Sequence, residues 1–268
     1  MKLCISEVTT LPATFAEDVE NYSSVGWTGM EVWLTKLETH LQTHSADDIR
    51  QLLAAHNLTP AAASYQGGLL LSQGEQRRAH FEQFRSRLDL CQRLGIGTLV
   101  VVADFAQPVD PTALERAIVS LKQSAQWAAG FEVRLALEFR GSDTFCSCLD
   151  TALTLIEQCG EPNVGVCLDV LHYYKGSSKP EDLERLTKEN LVFVQICDVA
   201  GVPRELMTDS DRVLPGEGDF RLGPIIERLR AIGYDGWVSL ELFNPVLWRM
   251  KGTQVAELGL IAMRKAVG

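Results

Sequence analysis

The sequence predicts a single (β/α)8 TIM barrel over residues 1–268, and three observations predict it. Apolar, β-rich runs recur eight times, amphipathic helical stretches separate them, and no glycine-rich phosphate loop follows the first run. Near-continuous hydrophobic strands alternating with helices describe a parallel sheet covered on its outer face, and eight such units suggest a closed barrel. An open, doubly wound sheet would usually carry glycines after its first strand, and SEVTTLPATF, from Ser6, has none.

In chain order the strands are expected at KLCISEV (from Lys2), GMEVWL (Gly29), TPAAASY (Thr59), GTLVVVA (Gly97), VRLALEF (Val133), VGVCLDV (Val164), LVFVQICDV (Leu191) and WVSLELF (Trp237). Between them the 3.6-residue period marks helices at ADDIRQLLAAHN, from Glu75 to Leu94, and at ALERAIVSLKQSAQWAA, LDTALTLIEQC and LGPIIERLRAIGY. Ser45 or Asp47 suits a helix cap, and Pro111 and Pro180 suit a first helical turn. Gly95, Gly130, Gly160 and Gly233 suit helix ends. No linker or shift in composition divides the chain, so one domain is expected.

Composition narrows the function classes. Of 268 residues, 25 are Lys or Arg and 35 are Asp or Glu, a formal charge of −10, with no basic run for a phosphate backbone. Nucleic acid is therefore not an expected partner. A hydrophobic share of 46% and a charged share of 22% are those of a folded globular protein. No apolar stretch is long enough for a membrane span, and MKLCISEVTTL lacks a secretory h-region, so a cytoplasmic location without membrane contact is expected. The seven cysteines form no CxxC pair and read as reduced core thiols.

Barrel active sites lie at the carboxyl ends of the strands, so polar residues ending apolar runs are the candidates. Glu138 ends LALEF, Asp169 and His172 end VCLDVLH, Gln195 and Asp198 end VFVQICD, and Glu241 ends VSLEL. Taken singly, each has an ordinary structural explanation. Glu138 could pair with Arg140 or Arg134, Asp198 could tie a loop, and His172 could be a hydrogen-bonded pocket residue. Together, Glu138, Asp169, Gln195 and Glu241 offer three carboxylates and one amide oxygen, a hard donor set for one divalent cation, Mn²⁺, Mg²⁺ or Co²⁺ before Zn²⁺. Arg212 and Arg204, on the loop after the seventh strand, could bind a carboxylate or phosphate on a substrate. Lys175, Glu31 and Trp33 are further candidates to line the pocket.

From LALEF through VGVCLDVLHYYKG, LVFVQICDV and RVLPGEGDF to GYDGWVSLELFNP the chain resembles the xylose-isomerase-like barrel superfamily of sugar phosphate isomerases and epimerases. The first half is similar only in strand order and in GMEVW, with Glu31. The resemblance implies metal ligation by Glu138, Asp169 and Glu241, and a substrate-side role for His172 in the DxxH motif. The epimerases usually carry His where this sequence has Gln195. Gln there is similar to the metal-dependent dehydroshikimate dehydratases of the same superfamily.

The expected chemistry follows from a dication beside carboxylates: acidification of a C–H next to a substrate carbonyl and stabilisation of the resulting enediolate. Glu138 and Glu241 are the candidate bases, giving epimerisation on one carbon or isomerisation between two. If a hydroxyl lies β to that carbon, water leaves instead, with His172 the candidate acid. The partner expected is a small-molecule sugar or keto-polyol, and self-association into a homo-oligomer stays open. The alternatives are a dehydratase of the dehydroshikimate or inosose type, a metal-free sugar-binding protein, and a carboxylate-pair glycosidase. An apurinic endonuclease would need many more strand-end histidines than His172.

Overall fold

Eight parallel strands alternate with helices in the computed structural model, which describes residues 1–268. They are β1 (Lys2–Ser6), β2 (Gly29–Trp33), β3 (Thr59–Gln66), β4 (Thr98–Val102), β5 (Arg134–Glu138), β6 (Val164–Asp169), β7 (Leu191–Ile196) and β10 (Trp237–Leu240). Their order is that of a closed barrel, β1-β10-β7-β6-β5-β4-β3-β2. All eight predicted strands are present. The seventh run holds two elements rather than one: β7 stops at Ile196, and β8 (Asp198–Val199) pairs antiparallel with β9 (Arg212–Val213). Asp198 is the cause, because its carboxylate accepts the N–H groups of Val199, Gly216 and Phe220 at 2.9–3.0 Å and ties the loop there.

The predicted helices appear as α3 (Ala46–Ala55), α4 (Gly74–Leu94), α5 (Pro111–Ala129), α6 (Leu149–Cys159) and α8 (Leu222–Ala231). Ser45 caps α3 by accepting the Asp48 N–H at 3.2 Å. Pro111 opens α5, and left-handed Gly95 and Gly160 close α4 and α6. Pro180 begins a 3-10 helix, Pro180–Arg185. The periodicity did not single out α1 (Phe15–Ser24), α2 (Leu34–His40), α7 (Val170–Lys175) or α9 (Gly252–Val267). For α1 the signal was local: Thr14 and Glu17 form a capping box, side chain to backbone in both directions.

The chain divides into two compact halves, residues 1–63 with 194–268, and residues 64–193. In the first, Val8, Phe15, Val19, Met30, Leu37 and Ile49 are fully buried, and Trp27 Nε1 donates to the Ala256 carbonyl of α9 at 2.9 Å. A Cβ on Gly259 of α9 would lie 2.4 Å from Leu240 Cδ2, so any larger residue there would have to displace the Leu240 side chain at the end of β10. In the second, Phe84, Leu88, Val100, Val101, Leu135 and Leu137 are buried between strands and helices. Each such side chain contributes about 1.5–3 kcal/mol, against about 0–1 for an exposed pair such as Arg50–Asp47. Apolar packing therefore holds each half. No helix is long and apolar enough to cross a membrane.

Candidate metal centre

Strand register decides which side chains meet. In residues 64–193, Glu138 of β5 pairs opposite Cys167 of β6. Side chains alternate along a strand, so Ala136 and Glu138 share a face with Gly165, Cys167 and Asp169. Small residues occupy that face behind the two acids. Asp169 then caps α7, its Oδ1 accepting the His172 N–H at 3.0 Å, and the helical turn returns the imidazole toward β5. His172 Nε2 stands 3.5 Å from Glu138 Oε1. The ligand atoms of Glu138, Asp169 and His172 all lie within 4.8 Å of one another, on residues only 8%, 0% and 5% exposed.

The same logic orders the other half. Ser239 of β10 lies opposite both Gln195 of β7 and Cys4 of β1, and Ser6 of β1 lies opposite Glu31 of β2. Gln195, Ser239, Glu241 and Glu31 therefore share one face. Gln195 Nε2 donates to Glu31 Oε1 at 2.8 Å and to Glu241 Oε1 at 2.9 Å, while Ser239 Oγ donates to Glu31 Oε2 at 2.6 Å. Arg212, 1% exposed, sets Nη1 3.0 Å from Glu241 Oε2 and Nη2 2.8 Å from Asp209 Oδ1. Burial, with the negative Glu31 second, pushes the Cys4 thiol well above its ordinary range.

The remaining candidates are placed less centrally. Trp33 is half-buried, edge-on to Phe243 with ring centroids 5.8 Å apart. Lys175 is half-buried at the end of α7, and Arg204 lies exposed in a 3-10 turn, Arg204–Leu206. Asp198 takes its loop-tying role.

Beside Glu31, two further acids of the first half, Glu7 and Asp104, carry the same strand-end signal and were not among the expected site residues. Glu7 follows β1 directly, is fully buried, and accepts the Trp33 N–H at 2.7 Å. Burial raises its pKa well above the carboxylate range, the nearby Asp18 adding to the effect against the pull of Lys36. Asp18 is raised by burial too, although Lys36 Nζ sits 2.5 Å away. Asp104 follows β4 and accepts the Gly68 N–H, and Asp143 accepts the Phe105 N–H at 3.0 Å. Both are raised by burial against the opposing field of Arg140.

A family model described as xylose isomerase-like TIM barrel matches residues 19–266. The chain is 27% identical over 266 residues to an inosose isomerase of Bacillus velezensis, covering 93% of this chain and 91% of that protein. It is 26% identical over 239 residues to a 3-dehydroshikimate dehydratase of Pseudomonas aeruginosa, a match over 88% of this chain but 37% of that protein. Among solved structures, the IolI protein with a bound zinc atom superposes with a TM-score of 0.94 at 26% identity, over 100% of this chain and 98% of that one. The chain belongs to the xylose isomerase-like TIM barrel family.

Proposed function

We propose that this member of the xylose isomerase-like TIM barrel family is a divalent-metal-dependent isomerase or epimerase of a sugar or keto-polyol. The observation that carries the reading is the buried cluster of Glu138, Asp169 and His172, with ligand atoms within 4.8 Å. Two buried carboxylates side by side repel each other, and a dication offsets that repulsion. The donor chemistry fits such an ion. The proposed ligands are Glu138, Asp169, Gln195 and Glu241, each at or next to the carboxyl end of its strand. Because Gln195 Nε2 is engaged with Glu31 and Glu241, the amide oxygen is the atom it would turn to a cation. The similarity to an inosose isomerase supports a cyclic keto-polyol as the substrate class.

An ion held there would supply Lewis acidity at a substrate carbonyl, which raises the acidity of the neighbouring C–H. Glu138 and Glu241 take up and return that proton as general bases. Arg212 fixes the Glu241 carboxylate, and Glu31 holds Gln195 in one orientation. His172, anchored through its own N–H on Asp169, stands where it can orient or protonate a substrate oxygen. A second reading, elimination of water by a dehydratase, is favoured by Gln195 at the seventh strand and by the match to a 3-dehydroshikimate dehydratase.

The test is incubation of Mn²⁺-loaded protein with inososes, keto-sugars and dehydroshikimate in D₂O. Deuterium entering one carbon of recovered or isomerised sugar supports the first reading, loss of water the second, and neither outcome with any of them refutes both. A hard donor set with Gln195 should rank Mg²⁺, Mn²⁺ or Co²⁺ above Zn²⁺, and Gln195→His should move the ranking toward Zn²⁺. An unchanged ranking would show that Gln195 does not touch the ion.

A further inference from the structure

On the outer helical layer of residues 64–193, α4 and α5 flank a groove of about 410 Å³ lined by Arg77, Arg78, Phe81, Arg85, Gln123 and Trp127, with Glu82 its only acid. Residues 77, 81 and 85 recur every four positions, so they form one face of α4, and Gln123 and Trp127 do the same on α5. Three guanidinium groups against one carboxylate is a local positive charge on a chain whose formal net charge is −10.

Arg77 is the unusual member. It is half-buried, and its guanidinium lies 4.2 Å over the Phe81 ring. Nη1 donates to the Leu69 carbonyl and the Ser120 hydroxyl at 3.3 and 2.6 Å, and Nη2 to Gln123 Oε1 at 2.7 Å. All three acceptors are neutral, and no carboxylate pairs with it. A guanidinium has five N–H donors, so Nε–H and one Nη2–H remain for a ligand. The packing fixes Arg77 beforehand, which lowers the entropy cost of using those donors. Trp127 packs edge-on against Phe81, with centroids 5.2 Å apart at 90°, and is 37% exposed, so part of the indole faces solvent. The first turn of α4 borders the groove at Gly74, and its N-cap residue Gln73 supplies no side-chain hydrogen bond to it.

We propose that this groove binds a nucleotide, its planar base against Trp127, its ribose hydroxyls toward Glu82 and its phosphates on Arg77, Arg78 and Arg85. A lone phosphate would use the arginines and leave the indole and Glu82 idle. The inference does not depend on the reaction proposed above.

The experiment titrates the full chain with ADP, adenosine and inorganic phosphate, followed by calorimetry and tryptophan fluorescence. ADP should bind saturably and quench fluorescence, with phosphate and adenosine each at least about tenfold weaker. Trp127→Phe should remove the quench. Arg77→Met should weaken ADP by about tenfold or more, the loss of a charge-assisted hydrogen bond. Should Arg77→Met fail to fold, Arg85→Glu, at an exposed position, decides in its place. Absence of saturable ADP binding overturns the proposal, as does binding that survives Arg85→Glu unchanged. A shift of Arg85→Glu in oligomeric state without any ADP binding would overturn it too, and would mark the groove as a contact between copies of the chain.

Discussion

In residues 64–193, Glu138 and Asp169 meet beside a histidine, with ligand atoms within 4.8 Å, whereas in the other half Glu31 and Glu241 are bracketed by Gln195, Ser239 and Arg212 at 2.6–3.0 Å. Hydrogen bonds and an ion pair on both oxygens fix a carboxylate's position. Two acids packed side by side repel each other, and a cation would offset that repulsion. On the proposed ligand set, the first pair brings charge to the ion, and the second brings Gln195 and Glu241 already fixed by their neighbours.

The largest effect that would break this contrast is on chemistry. Glu138→Gln and Glu241→Gln should each cut deuterium exchange by about 10²–10⁴, the range for a lost general base. Bound Mn²⁺, measured by metal analysis after desalting, should fall in both, and full retention of the ion in both would sink the ligand set. His172→Asn sharpens the comparison within residues 64–193. If the histidine only orients substrate, binding weakens while α-proton exchange persists. If it protonates a departing hydroxyl, exchange persists but product falls by about 10²–10⁴. Equal loss of exchange and turnover, with metal still bound, would make His172 the base that starts the reaction.

Arg212→Met tests the bracketed side. Removing one partner of a buried pair leaves a charge uncompensated, so denaturant unfolding should show a loss of about 3–5 kcal/mol. Arg212→Lys should recover part of that stability, although not the double contact to Glu241 and Asp209. A loss confined to catalysis, with stability unchanged, would show that Arg212 serves substrate rather than Glu241.

The smallest effect lies at Glu7. Burial raises the folded-state pKa of Glu7 and Asp18, so the folded chain keeps protons that the unfolded chain releases. Their contribution is full below the ordinary carboxylate range and declines as pH rises through the raised values. Glu7→Gln should flatten that decline, gaining on the order of 1 kcal/mol at neutral pH, read from melting temperature against pH. A variant whose stability falls with pH as steeply as the wild type would show that the proton is not held by Glu7.

The sequence revealed more of the strands than of what joins them. Near-continuous apolar runs located all eight, because a strand covered on both faces leaves little choice of residue. The ribbon formed by Asp198 and Arg212 was hidden, since both residues lie in text that reads as strand or loop and the pairing spans the 198–213 segment. Glu138, Asp169, Gln195 and Glu241 were legible as polar breaks in apolar runs. Glu7 and Asp104 broke their runs in the same way, but the first half lacks the motifs that drew attention to the second. The shared face of Gln195, Ser239 and Glu31 was not legible, because it depends on strand register, which a single sequence does not print.

The knot at Asp198 bears on how such a chain changes over generations. One carboxylate gathers Val199, Gly216 and Phe220, and a Cβ on Gly218 would strike its Oδ1 at 2.2 Å, so both ends of the excursion from 198 to 220 are pinned. Between those ends, closure entropy grows only logarithmically, and doubling the length of a flexible loop adds about 0.6 kcal/mol. Insertions between Gly201 and Asp209 therefore cost far less than a substitution at Asp198 or Gly218. The barrel can try new loops at one rim while its strands, and the acids on them, stay where they are.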